Sequence, residues 1–553
     1  MSKNIIGSSK EVEIFVSKFN RVLEHSVSFV IVISLLAVLP IKIFFGDKVQ
    51  ILPLISSKTM KALFLPFKLF FTYLITPILK AFCSAIVNIF NFIFKGKNSQ
   101  EKKGATFLNP KEVRQIMNLS EKGLLIDGTE KRISKDLSFT HLLLVSSTGG
   151  GKTSKYIIPN VITLAGDREP CSMVITDPSG EIYEKTSAYL HQKGFTLHVL
   201  NPAQPQKSLG YNPLAKVETV TDIGEIAHIL VNSANPNAKD PFWGQGAETI
   251  IEIFIHCLKS LNQAEFLNLH NVLYLLQNFG NRQALDNFVS TNANQTVFNQ
   301  YKGFIGGNPN TTASFISTAT TSLKMFSNTD ICQMMSKDEV NFENMRKKKT
   351  ALFLIVPSEK MSYYSFFLNI FYTQFFQAMM KSLPNKKSLP VYALMDEFAN
   401  IGTIPNFTTI LTTIRKYHVS LSIVLQDLSQ LSVRYGREEM TTILGNTASK
   451  LCYGGVDMNT AQYFEIMIGK VYKEEKDKKS GHISYREHNL IDAQQIRTMS
   501  KDQALFLVSN KNPILLEKVL PYFQNPKFKH RVQLKPHEFQ RQTNFSNIHY
   551  VGI

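Results

Sequence analysis

The sequence predicts an α/β fold with a mostly parallel sheet, an all-helical insertion and an N-terminal membrane anchor. From about residue 105, short apolar runs alternate with helical segments, which is the pattern of parallel strands joined by crossover helices. Residues 218–340 show only helical periodicity, and two long apolar blocks precede residue 104. The predicted domains are the anchor (1–104), two parts of an α/β domain (105–217 and 341–525), the insertion (218–340) and a basic C-terminal tail (526–553).

The predicted anchor contains two membrane spans. An apolar stretch from about residue 26 to 45 is long enough to cross a hydrocarbon core of about 30 Å. A second block, residues 62–94, is interrupted by Lys68 and Lys80 and is expected to contain a second crossing. A cleaved signal peptide is disfavoured because the first apolar run begins late and another follows it. Lysines after the second block favour a cytoplasmic body, whereas lysines in the loop between the blocks argue against that orientation.

Charge and cysteine usage exclude some classes of protein. The net charge is +18 over 553 residues, but +9 belongs to the anchor and +4 to the tail, which leaves +5 for the body. A nucleic-acid groove therefore cannot be inferred from charge alone. The five cysteines are scattered without C-x-x-C spacing, so neither a disulfide framework nor a zinc site is expected.

A glycine-rich phosphate loop follows the first strand of the α/β region. Residues 142–153 read Leu-Leu-Leu-Val-Ser-Ser-Thr-Gly-Gly-Gly-Lys-Thr. The glycines let backbone N–H groups surround phosphate oxygens, Lys152 can reach the β- and γ-phosphates, and the Thr153 hydroxyl can bind Mg²⁺. Ser146 stands where the G-x-x-x-x-G-K-[ST] pattern has its first glycine, and it is expected at the strand exit. The nucleotide-binding residues are predicted to be Ser147, Thr148, Gly149, Gly150, Gly151, Lys152, Thr153 and Ser154.

An acidic strand end supplies the expected partner of the phosphate loop. Residues 389–398 form an apolar run that ends in Asp396 and Glu397. Asp396 is predicted to hold, through its water shell, the Mg²⁺ that Thr153 binds, and Glu397 to orient or deprotonate the attacking water. Two carboxylates after an apolar run are weak evidence alone, but with the phosphate loop they predict hydrolysis of ATP bound with Mg²⁺.

The remaining elements follow from local patterns. Strands are expected at 140–146, 172–176, 195–200, 350–356, 389–395, 421–425 and 504–509, and helices at 223–231, 247–261, 269–277 and 362–380. The aromatic side chains of the last helix are spaced for core packing rather than base stacking. Residues 473–479, a mixed-charge run, are expected in a solvated hairpin. Residues 346–349, Arg-Lys-Lys-Lys, are expected in an exposed turn, with the lining of a substrate channel as the alternative.

Several motifs together resemble the VirD4/TraG-type coupling proteins of bacterial conjugation and type IV secretion. The most specific is Met-Asp-Glu-Phe-Ala-Asn-Ile-Gly-Thr-Ile-Pro at 395–405. The others are the phosphate loop (146–153), Ile-Ile-Pro-Asn (157–160), Thr-Asp-Pro-Ser-Gly-Glu (176–181), Tyr-Asn-Pro-Leu (211–214), Asp-Pro-Phe-Trp (240–243), Leu-Gln-Asp-Leu-Ser-Gln-Leu (425–431) and Arg-Tyr-Gly (434–436). Two departures are Ser146 for glycine and Ser179, where the family usually has lysine.

The resemblance implies a fold and a set of roles. It implies a RecA-like P-loop ATPase domain with an inserted all-α domain, assembled as a homo-hexamer at the bacterial inner membrane with the ATPase in the cytoplasm. Arg415 lies where such proteins place an arginine finger for a neighbouring subunit, and Gln426 where they place a polar sensor of the nucleotide. Without the resemblance, Arg415 would be read as part of a solvated helix face and Gln426 as an ordinary strand end.

Two functions remain open at this point. The first is a motor that recruits single-stranded DNA with its bound relaxase to the channel components of a type IV secretion system and drives transfer by ATP hydrolysis. The alternative is a receptor chiefly for secreted effector proteins, in which the helical insertion and basic tail bind substrate signals and hydrolysis gates docking. A chromosome-segregation translocase of the same superfamily is a third reading, and the coupling-family motifs speak against it.

Overall fold

The computed structural model describes residues 104–235, 240–476, 483–539 and 547–553. The two predicted membrane spans, about 26–45 and within 62–94, lie outside these ranges. Within the described ranges, no helix combines the length and the apolar character that a membrane crossing requires.

Among the described residues, nine strands form one sheet in the order β11-β10-β7-β1-β6-β5-β2-β4-β3. The strands from β7 to β3 in that order are parallel, β10 runs antiparallel to β7, and β11 runs antiparallel to β10. A separate antiparallel pair is formed by β8 and β9. The bounds are β1 (Leu142–Val145), β2 (Ser172–Asp177), β3 (Thr196–Leu200), β4 (Thr350–Ile355), β5 (Val391–Met395), β6 (Val419–Leu425), β7 (Ser449–Tyr453), β8 (Lys470–Lys476), β9 (Ile483–Asn489), β10 (Ala504–Val508) and β11 (Ile514–Leu516).

Helices cover both faces of the sheet and form the segment between β3 and β4. Those before that segment are α1 (Pro110–Ile116), α2 (Lys135–Ser138), α3 (Ile158–Gly166) and α4 (Glu181–Gln192). The segment itself contains α5 (Val220–Ala234), α6 (Pro241–Ser260), α7 (Leu269–Gln277), α8 (Arg282–Asn292), α9 (Gln295–Ile305), α10 (Pro309–Ser322) and α11 (Thr329–Ser336). Those that follow are α12 (Ser365–Met380), α13 (Phe407–Thr413), α14 (Ser429–Asn446), α15 (Met458–Ile468), α16 (Ala493–Thr498) and α17 (Pro526–Val532).

The sequence predicts too few strands for the sheet. After the acidic strand it predicts only 421–425 and 504–509, but β7, between β1 and β10, and the edge strand β11 also belong to the sheet. β7 contains Lys450, whose ammonium group is buried and donates a 2.6 Å hydrogen bond to the Thr447 carbonyl. A lysine inside a short strand hides the apolar pattern, and the three residues of β11 are too few to produce one.

Two hydrophobic clusters lie on opposite faces of the sheet. One face packs against α3 and α4. The other packs against α12, whose side chains Phe366, Phe367, Phe371, Phe375 and Phe376 are buried, together with the helices between β3 and β4. The expectation of core packing for the aromatic helix is therefore correct, although Tyr363, just before α12, is 50% exposed.

The predicted exposed turn at residues 346–349 is wrong for its first residue. The guanidinium of Arg346 donates hydrogen bonds to three backbone carbonyls, those of Leu389, Met379 and Tyr417. Burial lowers the pKa of Arg346 to about 10. Arg346 thus connects the start of β4 to the C-terminal end of α12, the residue before β5 and the turn before β6. A run of charged residues in the sequence does not reveal this structural role.

The described parts of the C-terminal region are attached to the folded body. α17 packs against α4, and the Tyr183 hydroxyl of α4 donates a 3.0 Å hydrogen bond to the His537 carbonyl. Residues 547–553 lie against α7. There the Asn271 side chain donates to the His549 carbonyl at 3.0 Å and accepts from the Val551 N–H at 2.9 Å.

Candidate nucleotide site

The phosphate loop connects β1 to a helical segment. Gly149 (φ 74°) and Gly151 (φ 93°) adopt left-handed backbone conformations that an L side chain would strain. Lys152–Ile157 then forms a wide π-helical turn, in which the Ile158 N–H donates to the Thr153 carbonyl, and α3 continues from it. Because this helix begins at the loop, its N-terminal amides and positive dipole end lie where phosphate groups are expected.

Ser146, the departure from the glycine pattern, lies at the strand exit. Its N–H donates a 3.1 Å hydrogen bond to the Leu425 carbonyl of β6, and its side chain is buried. A Cβ added at Gly150 would lie 2.2 Å from Ser146 Oγ and 3.0 Å from the Ser147 carbonyl oxygen. The serine hydroxyl therefore occupies the space that a side chain at position 150 would enter.

Two direct contacts join the loop to the acidic end of β5. Lys152 Nζ donates a 2.8 Å hydrogen bond to Glu397 Oε1, and the Thr153 hydroxyl donates a 3.1 Å bond to Asp396 Oδ2. Glu397 has left-handed backbone angles (φ 52°, ψ 44°), a conformation that costs about 1–3 kcal/mol in a residue other than glycine. Strain of this kind is concentrated at functional sites, where surrounding contacts fix it.

Gln426, directly after β6, completes the cluster. Its side-chain amide donates to both carboxylate oxygens of Glu397, at 3.0 and 3.2 Å. Its carbonyl oxygen accepts a 3.1 Å hydrogen bond from the Thr148 hydroxyl of the phosphate loop. Gln426 therefore links the carboxylate expected to activate water to the loop expected to bind phosphate.

The donor set fits a nucleotide with Mg²⁺. Magnesium prefers oxygen ligands and usually binds through one or two carboxylates plus substrate phosphates, and here a hydroxyl and a carboxylate lie side by side at Thr153 and Asp396. Burial raises the pKa of Asp396 to about 6, and the charge of Glu397 adds to the rise, while Lys152 and the Thr153 hydroxyl oppose it. A divalent cation next to Asp396 would favour its ionised form.

The start of the helical segment after the phosphate loop is also held by contacts that the sequence does not reveal. The Tyr522 N–H donates a 2.8 Å hydrogen bond to the Ser154 carbonyl. Lys155, which is buried, donates a 2.5 Å hydrogen bond from Nζ to the Lys501 carbonyl. Both partners come from the chain around β10 and β11, more than 340 residues away in sequence, so no local pattern could have indicated them.

Arg415 is not part of this cluster. It lies in a 3₁₀ turn, Ile414–Tyr417, before β6, whereas Gln426 follows the same strand. A strand of this length separates its two ends by roughly 20 Å. Arg415 instead lines a cavity of about 460 Å³ with Asp136, Phe139 and His418, near the amino ends of β1 and β6. Its predicted contact with a neighbouring subunit stays a prediction.

Comparison with known proteins assigns the family. The model of the family described as "Type IV secretory system Conjugative DNA transfer" matches residues 96–546. The chain belongs to this family. The resemblance to VirD4/TraG-type coupling proteins that the motifs indicated is therefore confirmed.

Individual members of the family are distant in sequence. Protein VirD4 of Rhizobium radiobacter is 23% identical over 400 residues, which cover 69% of this chain and 57% of VirD4. Conjugal transfer protein TraG of Rhizobium radiobacter is 21% identical over 342 residues, which cover 60% of this chain and 52% of TraG. The matched regions thus span little more than half the length of these relatives.

Solved structures of the plasmid coupling protein TrwB share the fold. The unbound form aligns with a TM-score of 0.61 at 17% identity, covering 76% of this chain and 94% of that one. TrwB in complex with ADP and Mg²⁺ aligns with a TM-score of 0.59 at 16% identity, covering 77% and 96%. The α/β fold with a mostly parallel sheet, as predicted, is confirmed by this likeness.

Proposed function

We propose that the chain is a membrane-anchored ATPase that couples DNA cargo to a type IV secretion channel. The observation that carries this is the convergence of Lys152, Thr153, Asp396, Glu397 and Gln426, three segments of the chain brought together at one edge of the sheet. Family membership supports the conjugative context. The proposed assembly is a homo-hexamer at the bacterial inner membrane, with its ATPase body in the cytoplasm.

In the proposed mechanism each side chain has one task. Lys152 and the backbone amides of residues 147–154 would bind the phosphates. Thr153 and Asp396 would hold Mg²⁺, which would supply positive charge to offset that of the transferred phosphoryl group. Glu397 accepts a proton from the attacking water. Gln426 contacts both Glu397 and Thr148, so a shift of the loop around phosphate would be transmitted to β6.

Arg415 is proposed to act on the nucleotide site of a neighbouring subunit. Arg415 of one copy is proposed to approach the γ-phosphate bound by its neighbour, a contribution worth roughly 10³–10⁵ in rate. Its distance from the cluster of its own chain supports action on a different chain rather than its own. Hydrolysis would then depend on assembly.

Substitution of Lys152 tests the assignment of the site. Lys152→Ala should abolish ATP turnover and DNA transfer while membrane insertion is unchanged, because the loop loses its phosphate-binding charge. Lys111→Ala, at an exposed lysine of α1, is the matched control and should behave as wild type. ATPase activity retained by the Lys152 variant would overturn the assignment.

A second function, a receptor chiefly for secreted effector proteins, has one observation in its favour. The helical segment between β3 and β4 already binds an extended polypeptide, residues 547–553, through Asn271. Stimulation of the ATPase activity of residues 105–553 by single-stranded DNA would support the DNA motor. No stimulation, with tight binding of a secreted protein, would favour the receptor.

A further inference from the structure

Asp177 is a second buried carboxylate beside the proposed magnesium site. It is the last residue of β2, and Thr176 before it pairs with Met395 of β5, so Asp177 lies next to Asp396. Side chains alternate along a strand. The Thr176 hydroxyl lies 2.6 Å from the Tyr372 hydroxyl of α12 on one face, which places Asp177 and Asp396 together on the face that carries α3 and α4.

The two oxygens of Asp177 have different surroundings. Oδ2 accepts a 2.8 Å hydrogen bond from the Tyr183 N–H in the first turns of α4. Oδ1 is buried and has no hydrogen-bond partner among the described residues. A buried acceptor that is left unpaired destabilises a protein, so such an atom in a native protein calls for a specific explanation.

Supporting α4 does not explain the charge. Serine, threonine and asparagine accept hydrogen bonds from the N–H groups of a helix start as well as aspartate does. Aspartate places a second negative charge beside Asp396, and two neighbouring carboxylates in a buried site repel each other. The position therefore carries an electrostatic cost that a neutral side chain would avoid.

A hydrated cation between the two carboxylates would remove this cost. Magnesium keeps several of its waters when it binds to proteins with a nucleotide, and those waters are strong hydrogen-bond donors. We propose that Asp177 is a positioning residue whose Oδ1 accepts a hydrogen bond from a water of the Mg²⁺ held at Thr153 and Asp396. This role rests on the proposed function and adds a third side chain, from β2, to the magnesium site.

The test separates the charge of Asp177 from its support of α4. Asp177→Asn and Asp177→Ser keep an acceptor for the Tyr183 N–H and remove the charge. The affinity of the full chain for a fluorescent ADP is measured in Mg²⁺ and in EDTA. In both variants the gain in affinity from Mg²⁺ should fall by about tenfold or more, as for other groups that orient metal ligands, with the affinity in EDTA unchanged. Glu184→Gln, at an exposed position of α4, is the control and should keep the wild-type gain.

Three outcomes decide the proposal. A wild-type Mg²⁺ gain in both Asp177 variants overturns it, provided that Asp396→Asn has lost the gain in the same assay. An equal loss of affinity in Mg²⁺ and in EDTA also overturns it, since that result indicates a structural role. If wild type itself gains nothing from Mg²⁺, the proposed nucleotide site fails, and the role of Asp177 fails with it.

Discussion

Lys152 and Glu397 form a largely buried ion pair, with Nζ 2.8 Å from Oε1, that joins the phosphate loop to the end of β5. The side chains are 9% and 14% exposed, so the pair is little screened by solvent. A lysine that must reach phosphate and a carboxylate that must activate water therefore share one environment. Movement of either charged group would change the electrostatic environment of the other. Phosphate binding by Lys152 and activation of water by Glu397 are therefore linked.

Neutralising Glu397 should separate these two tasks. Glu397→Gln keeps an acceptor for Lys152 but cannot take a proton, so turnover should fall by roughly 10²–10⁴-fold. Nucleotide affinity should be kept, because the phosphate-binding groups are unchanged. Steady-state ATPase rates measure the turnover, and titration with nucleotide measures the affinity. Glu359→Gln, at an exposed position before α12, is the control. Undiminished turnover in the Glu397 variant would exclude Glu397 as the base.

Replacing Gly150 should expose the packing role of Ser146. Gly150→Ala places a methyl group 2.2 Å from Ser146 Oγ, and overpacking of this kind costs about 1–3 kcal/mol. Part of the loss should return in the double variant Ser146→Gly/Gly150→Ala, while contact with the Ser147 carbonyl keeps the rest. Urea unfolding of the four proteins gives the coupling energy. Strictly additive effects would contradict the proposed contact.

Much of this site can be predicted from sequence, and the rest depends on long-range contacts. The loop and the acidic strand end are recognisable because glycines, a lysine and paired carboxylates must stand in a fixed order near a strand. The role of Arg346 in fastening backbone carbonyls is not recognisable, because the same residue in a charge run is usually solvated. β7 was missed because Lys450 interrupts its apolar pattern, and its burial depends on a carbonyl acceptor that only the fold supplies.

His141 should make stability depend on pH. It is buried between β1 and the chain before β6, where Nε2 lies 3.0 Å from the Leu411 carbonyl and Nδ1 accepts from the Leu421 N–H. Burial, with a smaller effect of Arg415, lowers the pKa of His141 to about 4. His141 is therefore protonated near pH 6.5 in the unfolded chain but only near pH 4 in the native chain. The free energy of unfolding falls as the pH falls through this window.

The contribution of this histidine can be isolated by difference. The change from 6.5 to about 4 corresponds to roughly 3 kcal/mol, fully present above pH 6.5 and lost towards pH 4. His141→Asn removes the titration, and asparagine tolerates the left-handed backbone (φ 65°) at this position. Urea unfolding at several pH values should show the advantage of wild type shrinking below pH 6.5. A difference that does not vary with pH would contradict the assignment.

Asn271 should control the attachment of residues 547–553. Its amide donates to the His549 carbonyl and accepts from the Val551 N–H, so it pairs with the backbone of the segment as a neighbouring strand would. Asn271→Ala removes both bonds, while the contact of His270 Nε2 with the His549 carbonyl (3.2 Å) and the burial of Val551 remain. Hydrogen exchange of the Val551 amide should accelerate by about tenfold or more, in line with 1–3 kcal/mol for unpaired buried groups. Gln277→Ala, exposed on the same helix, should leave exchange unchanged.

Arg415 gives a prediction about two subunits rather than one. Arg415→Ala should fold and bind nucleotide normally, because the residue lies across the sheet from the phosphate loop, yet turnover should fall by roughly 10³-fold or more. Lys152→Ala has the opposite defect, an inactive site with an intact Arg415. If Arg415 acts on a neighbour, mixing the two inactive variants places Arg415 of one chain against the intact site of the other. ATPase activity should then rise above that of either variant alone, and a mixture as inactive as its components would show that Arg415 does not act between subunits.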